Sequence, residues 1–297
     1  MNRRTATPDD LAAVAAFLAE DEEALLGRPS RIGEPDVRAW LDGVDLERGT
    51  WLYEDDAGIV AFGWVEAHGE IAVQIGVVAE RAKGRGLGSE LLERAEARLR
   101  QHDVARVHAV ALAADPAAPA LLAAHGYREV RRFWEMTIDL DEEPPAPELE
   151  AGLRLEGFDE RDARAFHAAL EEAFADHWEH QPRAFEEWWD QKRAAPDYDP
   201  TLWFLVRDGD EVAAVARNDP NRGGGGWIGA LGVRRPWRGR GLGRALLLHS
   251  FREFRRRGWP HVGLGVDAEN PTGATRLYES VGMRVAIEQV VYEKRLA

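Results

Sequence analysis

The stretch RAKGRGLGSELL at residues 81–92 returns, almost letter for letter, as RPWRGRGLGRALL at residues 235–247. A repeat this widely spaced constrains the fold more than any composition figure. Whatever unit the first copy belongs to, the chain must be able to build it twice. The correspondence extends along both flanks. TWLYEDDAGIVAFGWVEA (50–67) matches TLWFLVRDGDEVAAVARN (201–218), two apolar runs around an acidic turn, which predicts a β-hairpin in each copy. IAVQIGVV (71–78) matches WIGALGV (227–233), a strand leading into the repeated loop. LLAAHGY (121–127) matches LYESVGM (277–283), a helix stopped by glycine. The last strands are FWEMTIDL (133–140) and VVYEKRL (290–296). The offset stays near 155 positions, far beyond the period of a solenoid repeat.

Each copy therefore reads as strand, helical region, hairpin, strand, glycine loop, helix, strand, helix, strand. This is an α/β (α+β) domain with helices packed on a mixed sheet. The segment DLDEEPPAPELEAG (139–152) carries three prolines and several carboxylates, so it continues neither a helix nor a central strand. The expected domains are 1–147 and 148–297. With 297 residues and 45% apolar side chains, each half has enough material for its own core.

Composition narrows the function. A net charge of −15 argues against nucleic acid as a partner. An acidic chain would suit a cationic substrate, although surplus carboxylates also serve solubility alone. With no cysteine, disulfides, thiolate metal sites and a cysteine nucleophile are excluded. No run of about 18 apolar residues predicts a membrane span. The N-terminus MNRRTATPDDL lacks a secretory apolar stretch, so a cytoplasmic location is expected.

A strand running into closely spaced glycines and a helix start suits phosphate. The backbone approaches closely, free amides meet oxygens, and the helix N-terminus adds positive potential. Arg238 and Arg240 would add charge in a geometry that fits phosphate. A Walker loop needs G-x-x-x-x-G-K-[ST], which is absent. A dinucleotide fingerprint needs G-x-G-x-x-G, but Gly239, Gly241 and Gly243 run G-x-G-x-G.

RGRGLG at 238–243 instead resembles the acyl-CoA loop [QR]-x-x-G-x-[GA] of the GNAT superfamily of N-acyltransferases. The preceding Leu231, Gly232 and Val233 and the following DAENPTGATRLYESVGM (267–283) resemble that family's strand and final helix. The resemblance implies two tandem GNAT-like domains, each a mixed, mainly antiparallel central sheet flanked by helices. It implies acetyl-CoA as co-substrate. The pantetheine arm would lie on the strand before the loop, and the pyrophosphate on Arg238, Gly239, Arg240, Gly241, Leu242 and Gly243. The oxyanion would meet an amide near Val233. Tyr278 occupies the position of the family's general acid, which protonates the departing thiolate. On its own pattern Tyr278 is equally a core residue, sharing a face with Ala274 and Val281. Asn270 matches the family's asparagine near the cofactor and would serve equally as a helix cap.

The first copy departs from the pattern. Lys83 replaces the leading [QR] residue, while Gly84, Arg85, Gly86, Leu87 and Gly88 remain after Val77 and Val78. Leu122 stands opposite Tyr278 and Ala114 opposite Asn270. This half reads as a possible second cofactor site, structural or regulatory rather than catalytic. The tandem arrangement most resembles the mycothiol synthase type, whose catalytic half is C-terminal. Where that type has a glutamate base, this chain has Trp227, so the exact acceptor is not carried over. The base is open among Glu269, Asp267 and the segment EAFADHWEHQP (172–182). In that segment Asp176, His177, Trp178 and His180 are candidates for an acceptor pocket. His177 and His180 lack a third ligand, so no metal is expected. The expected protein is a monomeric or homodimeric N-acetyltransferase acting on a primary amine of a small-molecule acceptor. The alternative is a non-catalytic CoA-binding sensor or scaffold.

Overall fold

A computed structural model describes residues 1–102, 104–195 and 197–296. The first half contains β1 (Asn2–Arg4), α1 (Leu11–Leu26), α2 (Glu34–Trp40), α3 (Leu46–Gly49), β2 (Thr50–Asp55), β3 (Gly58–His68), β4 (Ile71–Val78), α4 (Leu87–Leu99), β5 (Arg106–Leu112), α5 (Ala118–Ala124) and β6 (Arg128–Asp139). The second contains β7 (Leu153–Gly157), α6 (Ala163–Phe174), α7 (Phe185–Ala194), β8 (Phe204–Asp208), β9 (Glu211–Arg222), β10 (Gly225–Val233), α8 (Leu242–Arg256), β11 (His261–Asp267), α9 (Ala274–Ser280) and β12 (Arg284–Arg295). The repeated loops precede α4 and α8. Among the described residues no helix is long and apolar enough to cross a membrane.

The chain packs into two compact units, one of Met1–Trp134 with the stretch from Ile287 onward, the other of Glu135–Ala286. The last strands are thus exchanged. Antiparallel pairing runs from Gln289 opposite Leu112 to Arg295 opposite Arg106, so the strand that ends the second repeat completes the first unit. In return, β6 continues past Glu135 into the second unit, beside β11. We retain residue 147 as a proposed border between the sequence repeats; packing divides the chain at other points, because each final strand finds its ladder in the other unit.

In the first unit the sheet order is β1-β2-β3-β4-β5-β12, with only β4 and β5 parallel. Strand alternation sends side chains to two cores. Phe62 and Trp64 face α1 and α2, with Leu52, Val14 and Leu18. Ala61 and Val65 face α4 and α5, with Leu91, Leu99 and Leu122. Across the second core runs a buried polar chain. Gln74 donates to the Tyr127 hydroxyl at 2.7 Å, Tyr127 donates to Glu96 at 3.1 Å, and Lys294 of β12 holds both Glu96 oxygens at 2.7 and 2.8 Å.

The second unit repeats the plan as β7-β8-β9-β10-β11-β6. On one face α8 buries Leu242, Leu246, Phe251 and Phe254 at helical spacing. At roughly 1.5–3 kcal/mol for each buried side chain, this stripe fixes where the helix starts relative to the sheet. On the other face Phe158, Phe166, Trp188, Trp189 and Trp203 stack into one aromatic cluster beneath α6 and α7.

Candidate active site

Within the second unit β10 parts early from its parallel neighbour. The two pair at Gly226–Val262 and Trp227–Gly263, whereas β10 stays on β9 as far as Val233 opposite Ala214. Beyond Trp227 an opening therefore runs along the outer edge of β10. The register shifts between Ile228 and Ala230, leaving Gly229 as the extra residue of a bulge. Arg234 donates its amide to Ala213 O at 3.0 Å, which makes Val233–Ala214 a non-hydrogen-bonded pair. The amides of Val233 and Leu231 consequently point away from β9, into the opening.

From there the chain makes a single 3-10 turn, Arg235–Trp237, and enters α8. Gly239 and Gly241 sit at φ +77° and +79°, a region costly for side-chain-bearing residues. The amides of Gly239, Arg240, Gly241, Leu242 and Gly243 lie at the helix start, where no intrahelical acceptor exists. Among the described residues none of the five meets an acceptor in the protein. The arginine side chains are otherwise engaged. Arg238 donates to Val233 O and Ala173 O, at 3.2 and 3.3 Å. Arg240 holds Glu150 at 2.7 Å and Asp208 at 3.4 Å. The anion-binding capacity of this loop thus rests on its main chain, with the guanidiniums bracing it. Glu172 of α6 anchors the entry, taking Arg234 Nε at 2.6 Å and the Arg235 amide at 3.0 Å.

Helix α9 closes on the same spot. Gly243 lies so near Leu277 that a Cβ there would be 3.0 Å from its Cδ2. The next residue, Tyr278, is 8% exposed. Burial pushes its phenol up to about 12, so it stays protonated. Asn270 is half-buried, and its Oδ1 accepts the Thr272 amide at 2.8 Å, an Asx turn leading into α9.

Of the four residues expected around an acceptor, His177 lies within electrostatic range of Asp176 and His180. Asp176 is exposed and faces the loop arginines, with Arg235 at 2.8 Å holding its carboxyl below the usual range. His180 sits 3.2 Å from Glu171 of α6. Trp178 is half-buried. His177 packs on Phe174 with ring centroids 4.3 Å apart. Burial lowers the His177 pKa, and the nearby carboxylate of Asp267 opposes that shift. A polar group absent from the sequence reading lies across the sheet: Arg217 and Asp219, 2.6 Å apart against the Gly229 bulge, with Lys192 near them. The only local signal was the i, i+2 placement of opposite charges on one strand face.

The first unit reproduces the backbone without the side chains. Strands β4 and β5 pair only over Ile71–Gln74, leaving Val77 and Val78 at an opening. Gly84 and Gly86 lie at φ +75° and +81°, and Leu87 and Gly88 open α4. Lys83 is held by Glu80 at 2.9 Å and Asp115 at 3.7 Å, while Arg85 donates to Arg81 O. In the position corresponding to Tyr278, Leu122 is buried in the core.

A splayed parallel pair, an amide-lined loop at a helix start and a protonated buried phenol on the helix packed against that start point to an acyltransferase. Comparison with known proteins agrees. The Acetyltransferase (GNAT) family model matches residues 163–283, and an Acetyltransferase (GNAT) domain model matches residues 47–129. The mycothiol acetyltransferase of Thermobispora bispora is 33% identical, over 97% of both chains. That of Thermobifida fusca is 31% identical, over 97% of this chain and 95% of its own. The crystal structure of a GCN5-related N-acetyltransferase from Sphaerobacter thermophilus superposes with a TM-score of 0.88 at 35% identity, covering 99% of this chain and 95% of that one. A tandem GNAT protein from the clavulanic acid biosynthesis pathway shares the fold at 16% identity, with a TM-score of 0.74 over 100% of this chain and 98% of its own. The chain belongs to the GNAT family of acetyltransferases, in its tandem two-domain form, and members of this family generally use acetyl-CoA.

Proposed function

We propose that the protein moves the acetyl group of acetyl-CoA to a primary amine of a small-molecule acceptor, and that the unit carrying α8 and α9 does the chemistry. The observation that carries this reading is the set of unpaired amides 239–243 at the end of the β10–β11 opening, with α9, the helix of the protonated Tyr278, brought to the same helix start by Leu277 on Gly243. Bound acetyl-CoA supplies a thioester carbonyl for direct attack by the amine.

The chain's own groups divide the remaining work. Amides 239–243 hold the diphosphate, and the edge of β10 lines up the pantetheine arm. The Val233 amide steadies charge that develops on the acyl oxygen. Tyr278 delivers a proton to the leaving sulfur. His177, kept neutral by burial and facing Asp267, takes the proton from the acceptor ammonium, directly or through water. The first unit, with Leu122 in place of the phenol, is structural or regulatory. The curated relatives carry the name mycothiol acetyltransferase.

Tyr278→Phe tests the assignment. It should lower kcat about 10²–10⁴-fold, the usual range for a lost general acid, while the KM for acetyl-CoA is retained. Unchanged turnover would remove Tyr278 from the mechanism.

A further inference from the structure

The α6–α7 side of the second unit holds polar groups that the proposed chemistry leaves unused. Arg217 and Asp219 of β9 bind each other at 2.6 Å with side chains only 16% and 13% exposed. They lie over the Gly229 bulge, where a Cβ would come within 2.5 Å of Arg217 Nη2 and 2.3 Å of Asp219 Oδ2. Gly229 sits just past the last β10–β11 pair, so this ion pair borders the strand segment whose Leu231 and Val233 amides face the opening.

Lys192 approaches from α7. It follows the buried Trp188 by one helical turn and so shares the helix face turned to the sheet. Charged groups reach it from every packed element: Arg217 and Asp219 from β9, Arg183 from the segment after α6, and Asp197 from the segment after α7. Yet among the described residues no hydrogen bond or ion pair engages its ammonium. In a chain with 53 carboxylates and 38 lysines and arginines, an inward-facing cation without a carboxylate partner runs against composition. The two arginines and two aspartates around Lys192 offset one another, so the ammonium itself is the charge left unbalanced in the group. Burial, reinforced by Arg217, pushes the Lys192 pKa down to about 8. An incoming anion would remove that penalty.

We infer that Lys192, backed by Arg217, forms an anion subsite of the acceptor pocket, so that the amine acceptor also carries a carboxylate or a phosphate ester. The inference rests on the acetyl-transfer reading above. Asp219 keeps Arg217 laid across Gly229, and the Gly229 bulge sets the distance between the held anion and the amine at Val233. Above pH 8 the free enzyme loses the Lys192 proton, and anionic acceptors then bind less well while neutral ones do not.

Thiol release from acetyl-CoA, measured with matched acceptors, tests this. Glycylglycine is compared with glycylglycinamide, and phosphoethanolamine with ethanolamine. The expected result is a kcat/KM about tenfold or more higher for the anionic member of one pair; which pair shows it tells carboxylate from phosphate. Lys192→Gln should abolish that preference through KM, and Lys192→Arg should restore much of it. Equal kcat/KM within both pairs would overturn the inference, as would a preference that survives Lys192→Gln. Should Lys192→Gln not fold, the wild-type profile decides: the KM for the preferred anionic acceptor must rise between pH 7 and 9.5 relative to its neutral partner, and a flat ratio overturns the subsite. Absence of thiol release with every amine would overturn the transferase reading, and this inference with it.

Discussion

Replacing Gly241 or Gly86 by alanine separates the loop assigned to turnover from its copy. At Gly241 φ is +79° and an added Cβ meets nothing within 4 Å; at Gly86 φ is +81° and the surroundings are equally open. No steric contact distinguishes the two substitutions, so the cost is backbone strain alone, about 1–2 kcal/mol for a side-chain-bearing residue in the left-handed region. Should the loop hold its shape, that strain lowers stability. For units of this size about 2–4 °C of Tm accompany each kcal/mol, so each variant should melt about 2–8 °C lower. Should the loop relax instead, the same energy is lost from the alignment of amides 239–243. A loss of about 1–2 kcal/mol is roughly a 5- to 30-fold weakening of acetyl-CoA binding. Differential scanning fluorimetry and the KM for acetyl-CoA, measured on both variants, distinguish these routes. Gly241→Ala should raise KM or lower Tm within those bounds, whereas Gly86→Ala should change Tm only. A KM increase of the same size in both variants would refute the assignment of turnover to the second unit. No change in either quantity for Gly241→Ala would refute the role given to the loop backbone.

Three further outcomes follow from individual contacts. Asp21, in the first unit, has its carboxyl raised to about 6, chiefly by burial and secondarily by nearby Asp115 and Glu80 against the pull of Lys83. The folded state therefore holds that proton more tightly than the unfolded chain, and the stability it contributes below pH 4 is lost as pH rises through 6; Asp21→Asn should melt higher than wild type at pH 7.5, with the gap closing at pH 4. Lys294→Met leaves the nearly buried Glu96 with Arg100 at 2.9 Å and Tyr127 as partners. It should cost about 2–3 kcal/mol in urea unfolding, less than a fully orphaned buried charge because Arg100 remains. His177, with its pKa lowered by burial, should give kcat/KM an acidic limb centred below pH 6.5, falling as pH falls; in His177→Ala that limb should vanish together with most of the rate at pH 7.5.

The parts of this molecule that were legible in its sequence are those fixed by neighbours in the chain. The hairpins, the strand into each loop, the glycines that need positive φ and the leucine face of α8 all follow from short-range pattern. The exchange of β6 and β12 does not. VVYEKRL reads as a strand, but nothing within it says which sheet edge it joins; the ladder from Gln289–Leu112 to Arg295–Arg106 decides that, across more than half the chain. Arg238 and Arg240 show the same limit on a smaller scale. Their type and spacing suggested phosphate, while the carbonyls of Ala173 and Val233 and the carboxylates of Glu150 and Asp208 claim them from outside the motif. The proposed acceptor side was least legible, because Lys192 of α7 nears Arg217 and Asp219 of β9 only through the tertiary fold. That division has a physical origin. The donor loop is built from main-chain amides, which glycine spacing announces, so its backbone conformation recurs in both copies. The proposed acceptor subsite would depend on side chains brought together from α7 and β9, and these have no joint signature in one dimension. A duplicated chain can therefore keep two such loop backbones while the buried residue of the following helix differs, Leu122 in one copy and Tyr278 in the other.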